Sequence, residues 1–351
     1  MKTVNTKYII IGAGLSGLTT AHLLLKHGER DFLILEGRNR VGGRILTNNG
    51  VDIGATWLQD HHTNLNGLLD SLSLKKFEQY SKGQSVLVYN TMAPAHYFES
   101  QHNGPSAQRI SGGSKALITK LTEGLKDKIL LDTKALELTE NSETVQIKTN
   151  AGIYIANKVV VTIPPKLAST LTFTPTLPDN LLGAMKQTHT WMSNAMKIGL
   201  VFKKPFWREK NFSGTVIGQV GPVIELYDHC CADNKTFALM GFINEGLRDV
   251  TAAQRKERIL AYLEKYLGEE IRGYESYFEK DWSKDEFTSC ENLKSVYMSP
   301  HYGNKHFEDF YFKEKLCFSG TETSPIYGGY LDGAVYSGIT TARKLLQKEL
   351  D

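Results

Sequence analysis

The 351-residue sequence predicts an α/β fold: a parallel sheet opened by a strand–helix–strand unit, with a second, discontinuous α+β domain threaded through it. Three observations predict it. Tyr8 to Ile11 is fully apolar and ends at Gly12, as a buried parallel strand does. Leu15, Leu18, Ala21, Leu24 and Leu25 then recur at helical spacing up to Gly28, a natural C-cap, and a second strand follows at Phe32–Leu35. Far along the chain, Ser193 to Phe202 alternates with period two and Thr251 to Leu267 carries an apolar helical stripe, so two sheet systems interleave.

The remaining elements follow in order. A Gly-rich stretch, Val41 to Arg44, leads to the segment Val51–Trp57 and a helix over Leu65–Leu74. Phe77 to Gln108 is mixed, aromatic and turn-rich, which marks a boundary. Leu117–Leu125 reads as a helix, and short strands follow at Ile129–Leu131, Ala135–Leu138, Val145–Thr149 and Gly152–Ala156. Val159–Val161 returns to the first sheet and stops at Pro164–Pro165, which cannot continue a ladder. In the alternating stretch Met196, Ile198, Leu200 and Phe202 share one face, leaving Lys197, Gly199 and Val201 on the other. Ile217–Tyr227 and Phe237–Phe242 add strands, Leu316–Phe318 is the last one, and a helix over Gly333–Glu349 closes the chain. The expected division is 1–76, 109–188 and 290–351 in the first domain, with 77–108 and 189–289 in the second.

Composition narrows the function. Hydrophobic residues make up 41% and charged residues 23%, as in ordinary globular proteins. The net charge of +3 is spread without a polybasic tract, so a nucleic-acid partner is not expected. No apolar window reaches membrane-spanning length, and Met1–Asn5 runs straight into a strand without a signal-like apolar region, so a cytoplasmic protein with no integral membrane segment is expected. Four cysteines lack zinc-site spacing and ten histidines form no HExxH, so no metal is expected.

Gly12, Gly14 and Gly17 form Gly-x-Gly-x-x-Gly between the first strand and its helix. The first permits the tight turn, the second lets a pyrophosphate approach the backbone, and the third allows close strand–helix packing. Phosphates are favoured at the helix N-terminus, where unpaired N–H groups and the helix dipole meet negative charge. Glu36, at the end of the second strand, is placed to accept from ribose hydroxyls and would repel a 2′-phosphate. The unit therefore grips the ADP half of a dinucleotide, NAD or FAD. Arg38, Gly42, Gly43 and Arg44 follow at once: the glycines let a loop pass close to an extended cofactor, and Arg44 offers a forked charged donor set.

Together with IIIGAGLSGL (Ile9–Leu18), LEGRNRVGGR (Leu35–Arg44) and VDIGATW (Val51–Trp57), the chain carries RISGGSKAL (Arg109–Leu117), VVVTIPP (Val159–Pro165), KKPFW (Lys203–Trp207) and FSGTETSPIYGGYLDGAVYSG (Phe318–Gly338). In these motifs and their order it resembles the flavin-dependent amine oxidase superfamily. The resemblance implies a Rossmann-type FAD-binding domain with bound FAD, a small-molecule amine or amino-acid substrate, and O2 as electron acceptor with H2O2 as product, while Glu291 at the family's flavin-linking position makes non-covalent FAD the expectation. It also implies that Gly42, Gly43 and Arg44 lie along the pyrophosphate and flavin, that Ala135 joins the cofactor-binding set, and that Glu322 stands beside the ribityl chain or its hydrogen-bond network. The closing helix would begin beside the isoalloxazine with the Leu331 amide as donor, where a helix N-terminus stabilises the negative charge of reduced flavin.

Lys197 matches a family lysine that reaches flavin N5 through water, and Tyr330 matches one wall of the family's aromatic substrate cage. A solvated lysine and a tyrosine with a packing role are the alternatives at these two positions. Two departures stand out. Aligned from Trp282, the position of the family's flavin-linking cysteine is Glu291 and that of its second cage tyrosine is Asn292, with Cys290 one residue early. Trp57, Trp191 or Tyr227 would then have to supply the missing wall. The stretch between Leu74 and the RISGG motif is also short, so a pared-down cap would expose the flavin or call for a partner subunit, as in a homo-oligomer. A same-fold desaturase or dehydrogenase acting on a non-amine, and a non-catalytic FAD-containing interaction module, remain as alternative functions.

Overall fold

A computed structural model of the chain describes residues 3–90, 92–99, 106–290 and 302–347. The alternating and apolar runs of the sequence become, first, β1 (Thr3–Ile11), α1 (Leu15–Lys26) and β2 (Phe32–Leu35). A short hairpin of β3 (Thr47–Asn48) and β4 (Val51–Asp52) precedes α2 (Thr63–Ser71). Then come β5 (Lys76–Glu78), β6 (Gln84–Val88), β7 (His96–Glu99), β8 (Gln108–Ile110) and α3 (Ser114–Leu121). The next strands are β9 (Ile129–Leu130), β10 (Ala135–Glu140), β11 (Val145–Thr149) and β12 (Ile153–Val161). They are followed by α4 (Pro165–Ala168), β13 (Thr172–Thr174), α5 (Asp179–Gln187), β14 (Met196–Phe202) and α6 (Phe206–Glu209). The last third holds β15 (Phe212–Gly218), β16 (Val223–Asp228), β17 (Phe237–Ile243), α7 (Ala252–Leu267), β18 (Ser276–Asp281), β19 (Leu316–Phe318) and α8 (Leu331–Leu346).

Among the described residues, two large sheets organise the chain. The first runs β13-β10-β11-β12-β1-β2-β9, with β19 pairing on β12; the second runs β18-β14-β17-β16-β15-β6-β7. β1 pairs in parallel with both β2 and β12, so α1 is the crossover of a βαβ unit. The apolar runs at β1, β2 and the end of β12 are needed because helices and loops cover both faces: Ile10 packs with α1, α3 and α8, while Ile9 and Ile11 pack with α5 and the chain around Phe312. In the second sheet Met196, Ile198, Leu200 and Phe202 face α7, as their period-two spacing requires. Among the described residues no helix is long and apolar enough to cross a membrane.

Several expectations are corrected. Gly152–Ala156 and Val159–Val161 are one strand, β12, carried past the polar Asn157–Lys158 because its partner changes from antiparallel β11 to parallel β19. Ile217–Tyr227 is a hairpin, β15 and β16, whose turn includes Gly221 at φ +103°. The segment Val51–Trp57, for which no element was expected, opens with β4, and its Asp52 and Gly54 carbonyls turn towards Lys197. α8 starts at Leu331, two residues before the expected Gly333.

Candidate active site

The end of β1 builds the first wall of a groove. Gly12 turns the chain at φ +112°, and its N–H is bonded to Leu35 O at 2.8 Å. α1 then begins with Gly14 as N-cap, with no side-chain cap and no acidic residue in its first turn, so its N-terminus keeps its positive end for a ligand. A Cβ at Gly14 would meet nothing within 4 Å, whereas one on Gly17 would sit 2.2 Å from Gly12 O. Gly14 thus leaves room for the ligand, and Gly17 allows the helix to seat against the turn. Opposite, Gly42 N–H donates to Ala13 O at 2.8 Å, and Gly43 at φ +56° passes against Gly14. Arg40 pins this loop by donating to the carbonyls of Val41, Gly43 and Ile45.

Glu36 is 3% exposed and closes the adjoining end. Its carboxylate accepts from Ala13 N–H at 2.7 Å and from Arg38 N–H at 2.9 Å, which orients it and leaves acceptor sites for hydroxyls. Arg38 bridges two acids, with Nη1 3.7 Å from that carboxylate and Nη2 on Asp285 at 2.5 Å, and its guanidinium lies over Phe287. Phe287 in turn lies over Gly37, where a Cβ would meet its ring at 2.4 Å. Thr133, Lys134 and Ala135 form the neighbouring rim, tied in by Thr133 N–H to Glu36 O at 2.8 Å.

α8 opens the far end. Tyr330 is its N-cap without a side-chain cap bond, and the one acidic residue of the first turn, Asp332, turns to α2 and accepts from Leu65 N–H at 2.7 Å and Asn64 Nδ2 at 2.9 Å. The N-termini of α1 and α8 therefore meet at one groove, their helices packed through Gly338 against Ser16 and Thr19. Tyr330 is 57% exposed, which removes the reading of a buried packing tyrosine, and its ring meets His62, itself edge-on to His61 and Tyr327.

Arg44 lines the groove, but its fork is already engaged by Glu322: Nη2 lies 3.0 Å from Oε2, and Nη1 bonds to Oε1. Thr190 also donates to that carboxylate. Burial pushes the Glu322 carboxyl up, but the Arg44 charge and bonds hold it below the usual carboxylate range. Glu322 is 1% exposed and does not line the groove, so it acts on the groove through Arg44.

Lys197 is 1% exposed, which overturns the solvated alternative. Its ammonium donates to Gly54 O at 2.8 Å, Asp52 O at 3.2 Å and Thr56 Oγ1 at 3.2 Å, and it lies over the rings of Phe242 and Trp57. Burial lowers its pKa to about 7, offset in part by the Asp52 charge. The side chain does not line the groove; it grips the segment whose Ala55 does. Behind it, Asp52 accepts from Thr47 and Ser114, while His229 accepts from Asp52 N–H and is held neutral, its pKa lowered to about 4 chiefly by burial and then by Arg109.

Of the expected residues, Gly12, Gly14, Glu36, Arg38, Gly42, Gly43, Arg44, Ala135, Tyr330 and Leu331 all line this one groove. Gly17, Glu322 and Lys197 support it from behind. Sequence reasoning missed Phe287, Thr162 and Met192, whose places depend on distant segments folding back. Cys290 is exposed and sits outside the groove lining, 4.0 Å from Lys166 O. Glu291, Asn292 and the Trp191 side chain lie outside the described residues. Of the proposed second walls, Trp57 and Tyr227 do meet, edge to face at 5.1 Å.

The donor set fits an extended flavin dinucleotide: two uncapped helix N-termini, a glycine cradle and an oriented acid share one elongated groove. Comparison agrees. The model of the flavin containing amine oxidoreductase family matches residues 15–92 and 84–346. A probable flavin-containing monoamine oxidase A of Dictyostelium discoideum is 23% identical, with 98% of each chain covered. That alignment runs over 460 positions, so the relative carries insertions that this chain lacks. Amine oxidase B of Rattus norvegicus is 29% identical over 70% of this chain, and the match spans 48% of that relative's length. Among solved structures, a putrescine oxidase bound to putrescine superposes with a TM-score of 0.85 at 22% identity, covering 99% of this chain and 100% of the other. Cyclohexylamine oxidase from Brevibacterium oxydans gives 0.84 at 18% identity, with 97% and 99% covered. The chain belongs to the flavin-containing amine oxidoreductase family and is an FAD-dependent oxidoreductase of amine-type substrates.

Proposed function

We propose that the chain holds one FAD non-covalently along the groove and uses it to oxidise a small amine, with O2 as the terminal acceptor. The observation that carries this reading is the convergence of Glu36 and the N-termini of α1 and α8 on one groove. Bound FAD supplies a two-electron acceptor for the hydride of an amine α C–H, the imine then hydrolyses, and oxygen leaves as hydrogen peroxide.

In this reading Glu36 binds ribose hydroxyls, and the amides at Gly14 and Leu15 take the pyrophosphate. The Leu331 end of α8 favours negative charge on the reduced ring, and Arg44, held by Glu322, flanks the cofactor. Tyr330 orients the substrate, whose neutral amine must be held with its C–H close to the acceptor. Lys197 keeps a positive charge near the oxygen-reacting side. The cofactor domain would comprise 1–76, 109–188 and 290–351, built on the first sheet as a Rossmann-type unit, and 77–108 with 189–289 would form the substrate domain on the second.

Anaerobic mixing of the yellow holoprotein with a panel of primary and secondary amines tests the function. Bleaching by amines is expected; bleaching by alcohols or unsaturated carbon substrates alone would overturn it. Glu36→Ala should weaken FAD binding about 10- to 100-fold, since charge-assisted hydrogen bonds contribute about 1.5–3 kcal/mol. Titration of the apoprotein with FAD reads this directly, and an unchanged affinity would contradict the ribose role.

A further inference from the structure

The segment that leaves β18 crosses from the second sheet to the Glu36 end of the groove. Its root is fixed beside β14: Trp282 N–H donates to Ala195 O at 2.9 Å, and Trp282 Nε1 donates to Ile53 O at 2.9 Å. Residues 285–288 then turn, with Thr288 N–H donating to Asp285 O at 2.9 Å and Phe287 N–H to Asp285 Oδ1 at 3.2 Å. Arg38 clamps this turn from the other side, its Nη2 donating to Asp285 Oδ1 and, at 3.0 Å, to Thr288 Oγ1. Lys280 of β18 reaches the second Asp285 oxygen at 2.9 Å, so the half-buried carboxylate joins one cation from each side. The clamp sets down one ring. Phe287 is half-buried, with the Arg38 guanidinium 5.2 Å and the Lys134 ammonium 5.4 Å from its centroid. It lies against Gly37, where a Cβ would come within 2.4 Å of the ring. Among the described residues, Phe287 and Tyr330 are the aromatic side chains that line the groove, one at the Glu36 end and one at the α8 end.

We infer that residues 285–288 are a strap that closes the adenosine end of the groove, with Phe287 as its cover, so that this end selects a flavin dinucleotide over a flavin mononucleotide. This rests on the proposed FAD reading, in which Glu36 takes the ribose hydroxyls. FAD and FMN share the flavin ring and the ribityl phosphate, and the adenosine half is what tells them apart. Glu36 answers only the hydroxyls of that half. The Phe287 ring adds an apolar face, the kind of surface on which a purine base is held without exact hydrogen-bond geometry. The place of the ring is built rather than incidental. Gly37 has no positive φ that would demand a glycine, so its missing side chain serves to make room for Phe287. Because the strap is rooted beside β14 and clamped by Arg38, a bound adenosine half also joins the two sheets.

The test takes the FAD-loaded parent, Phe287→Ala, Phe287→Leu, Gly37→Ala and the double variant Gly37→Ala/Phe287→Ala. Each is equilibrated with mixtures of FAD and FMN and desalted, and the retained flavins are measured by chromatography. Release of FAD on dilution, followed by flavin fluorescence, gives the rate. The parent should retain FAD in preference to FMN. Phe287→Ala should narrow that preference about tenfold or more, through faster release of FAD. Phe287→Leu keeps an apolar side chain without the ring and should narrow it less. Gly37→Ala drives the ring off its seat and should narrow it too, yet add nothing once Phe287→Ala has removed the ring. Should Phe287→Ala fail to fold, Phe287→Leu and Gly37→Ala carry the same comparison. An unchanged preference, an equal loss of FAD and FMN, or a full further loss from Gly37→Ala in the double variant would overturn the inference while leaving FAD binding intact. A parent that retains neither flavin would overturn it together with the proposed function.

Discussion

Glu322→Gln should lower the unfolding free energy of the FAD-loaded protein by about 3–5 kcal/mol near neutral pH. The side chain is 1% exposed, and its charge is the direct partner of the Arg44 fork. Removing one member of a buried pair leaves the other uncompensated, although the Arg44 side chain keeps 22% exposure and moves the expectation to the lower end. The pH dependence has a definite sign. The folded carboxyl is held below its ordinary value, so its contribution is fully present above the unfolded value of about 4.3 and is lost as pH falls through the folded one. Parent and variant should therefore differ by a constant amount from about pH 6 to 8 and converge below about pH 4. Urea unfolding across this range is the measurement. A gap under about 1 kcal/mol at neutral pH would show that the pair is not structurally important.

Lys197→Met should fold, retain FAD and be reduced by amine within about tenfold of the parent rate, yet reoxidise in air at least tenfold more slowly. That loss corresponds to about 1.4 kcal/mol or more of transition-state stabilisation. Methionine keeps the aliphatic bulk between Phe242 and Trp57 while deleting the charge. The ammonium is the buried positive charge behind the Ala55 wall of the groove, and a fixed cation favours developing superoxide and peroxide character. Because its pKa is lowered to about 7, the parent's reoxidation should slow as pH rises through that value, whereas the variant should show a flat profile. Stopped-flow measurement of the two half-reactions separates the effects. Unchanged reoxidation in the variant would leave Lys197 as a structural clamp on the carbonyls of Asp52 and Gly54.

The groove was legible where chemistry is local. Gly12, Gly14, Gly17 and Glu36 fall within one βαβ unit, and each has a job set by neighbours in sequence. Period-two alternation put Lys197 on the face opposite Met196 and Ile198, but neither its burial nor its partners followed: Asp52 and Gly54 are more than a hundred residues away, and nothing near Lys197 announces their carbonyls. Glu322 was read as part of the cofactor network through its motif, yet its pairing with Arg44 joins residues 278 apart. Phe287 on Gly37 and Arg40 on three loop carbonyls are likewise products of tertiary folding rather than of any local pattern. That β12 runs unbroken past the polar Asn157–Lys158 pair depends on its change of partner strand, which no local pattern shows.

The groove is expected to hold one FAD per chain without a covalent bond. Acid denaturation of the purified yellow protein, followed by chromatography of the supernatant, tests it directly. One FAD per chain should be released in full, leaving a colourless pellet, because Cys290 lies outside the groove lining. Recovery of NAD, of no nucleotide after reconstitution with both cofactors, or of yellow colour retained by the pellet would contradict it.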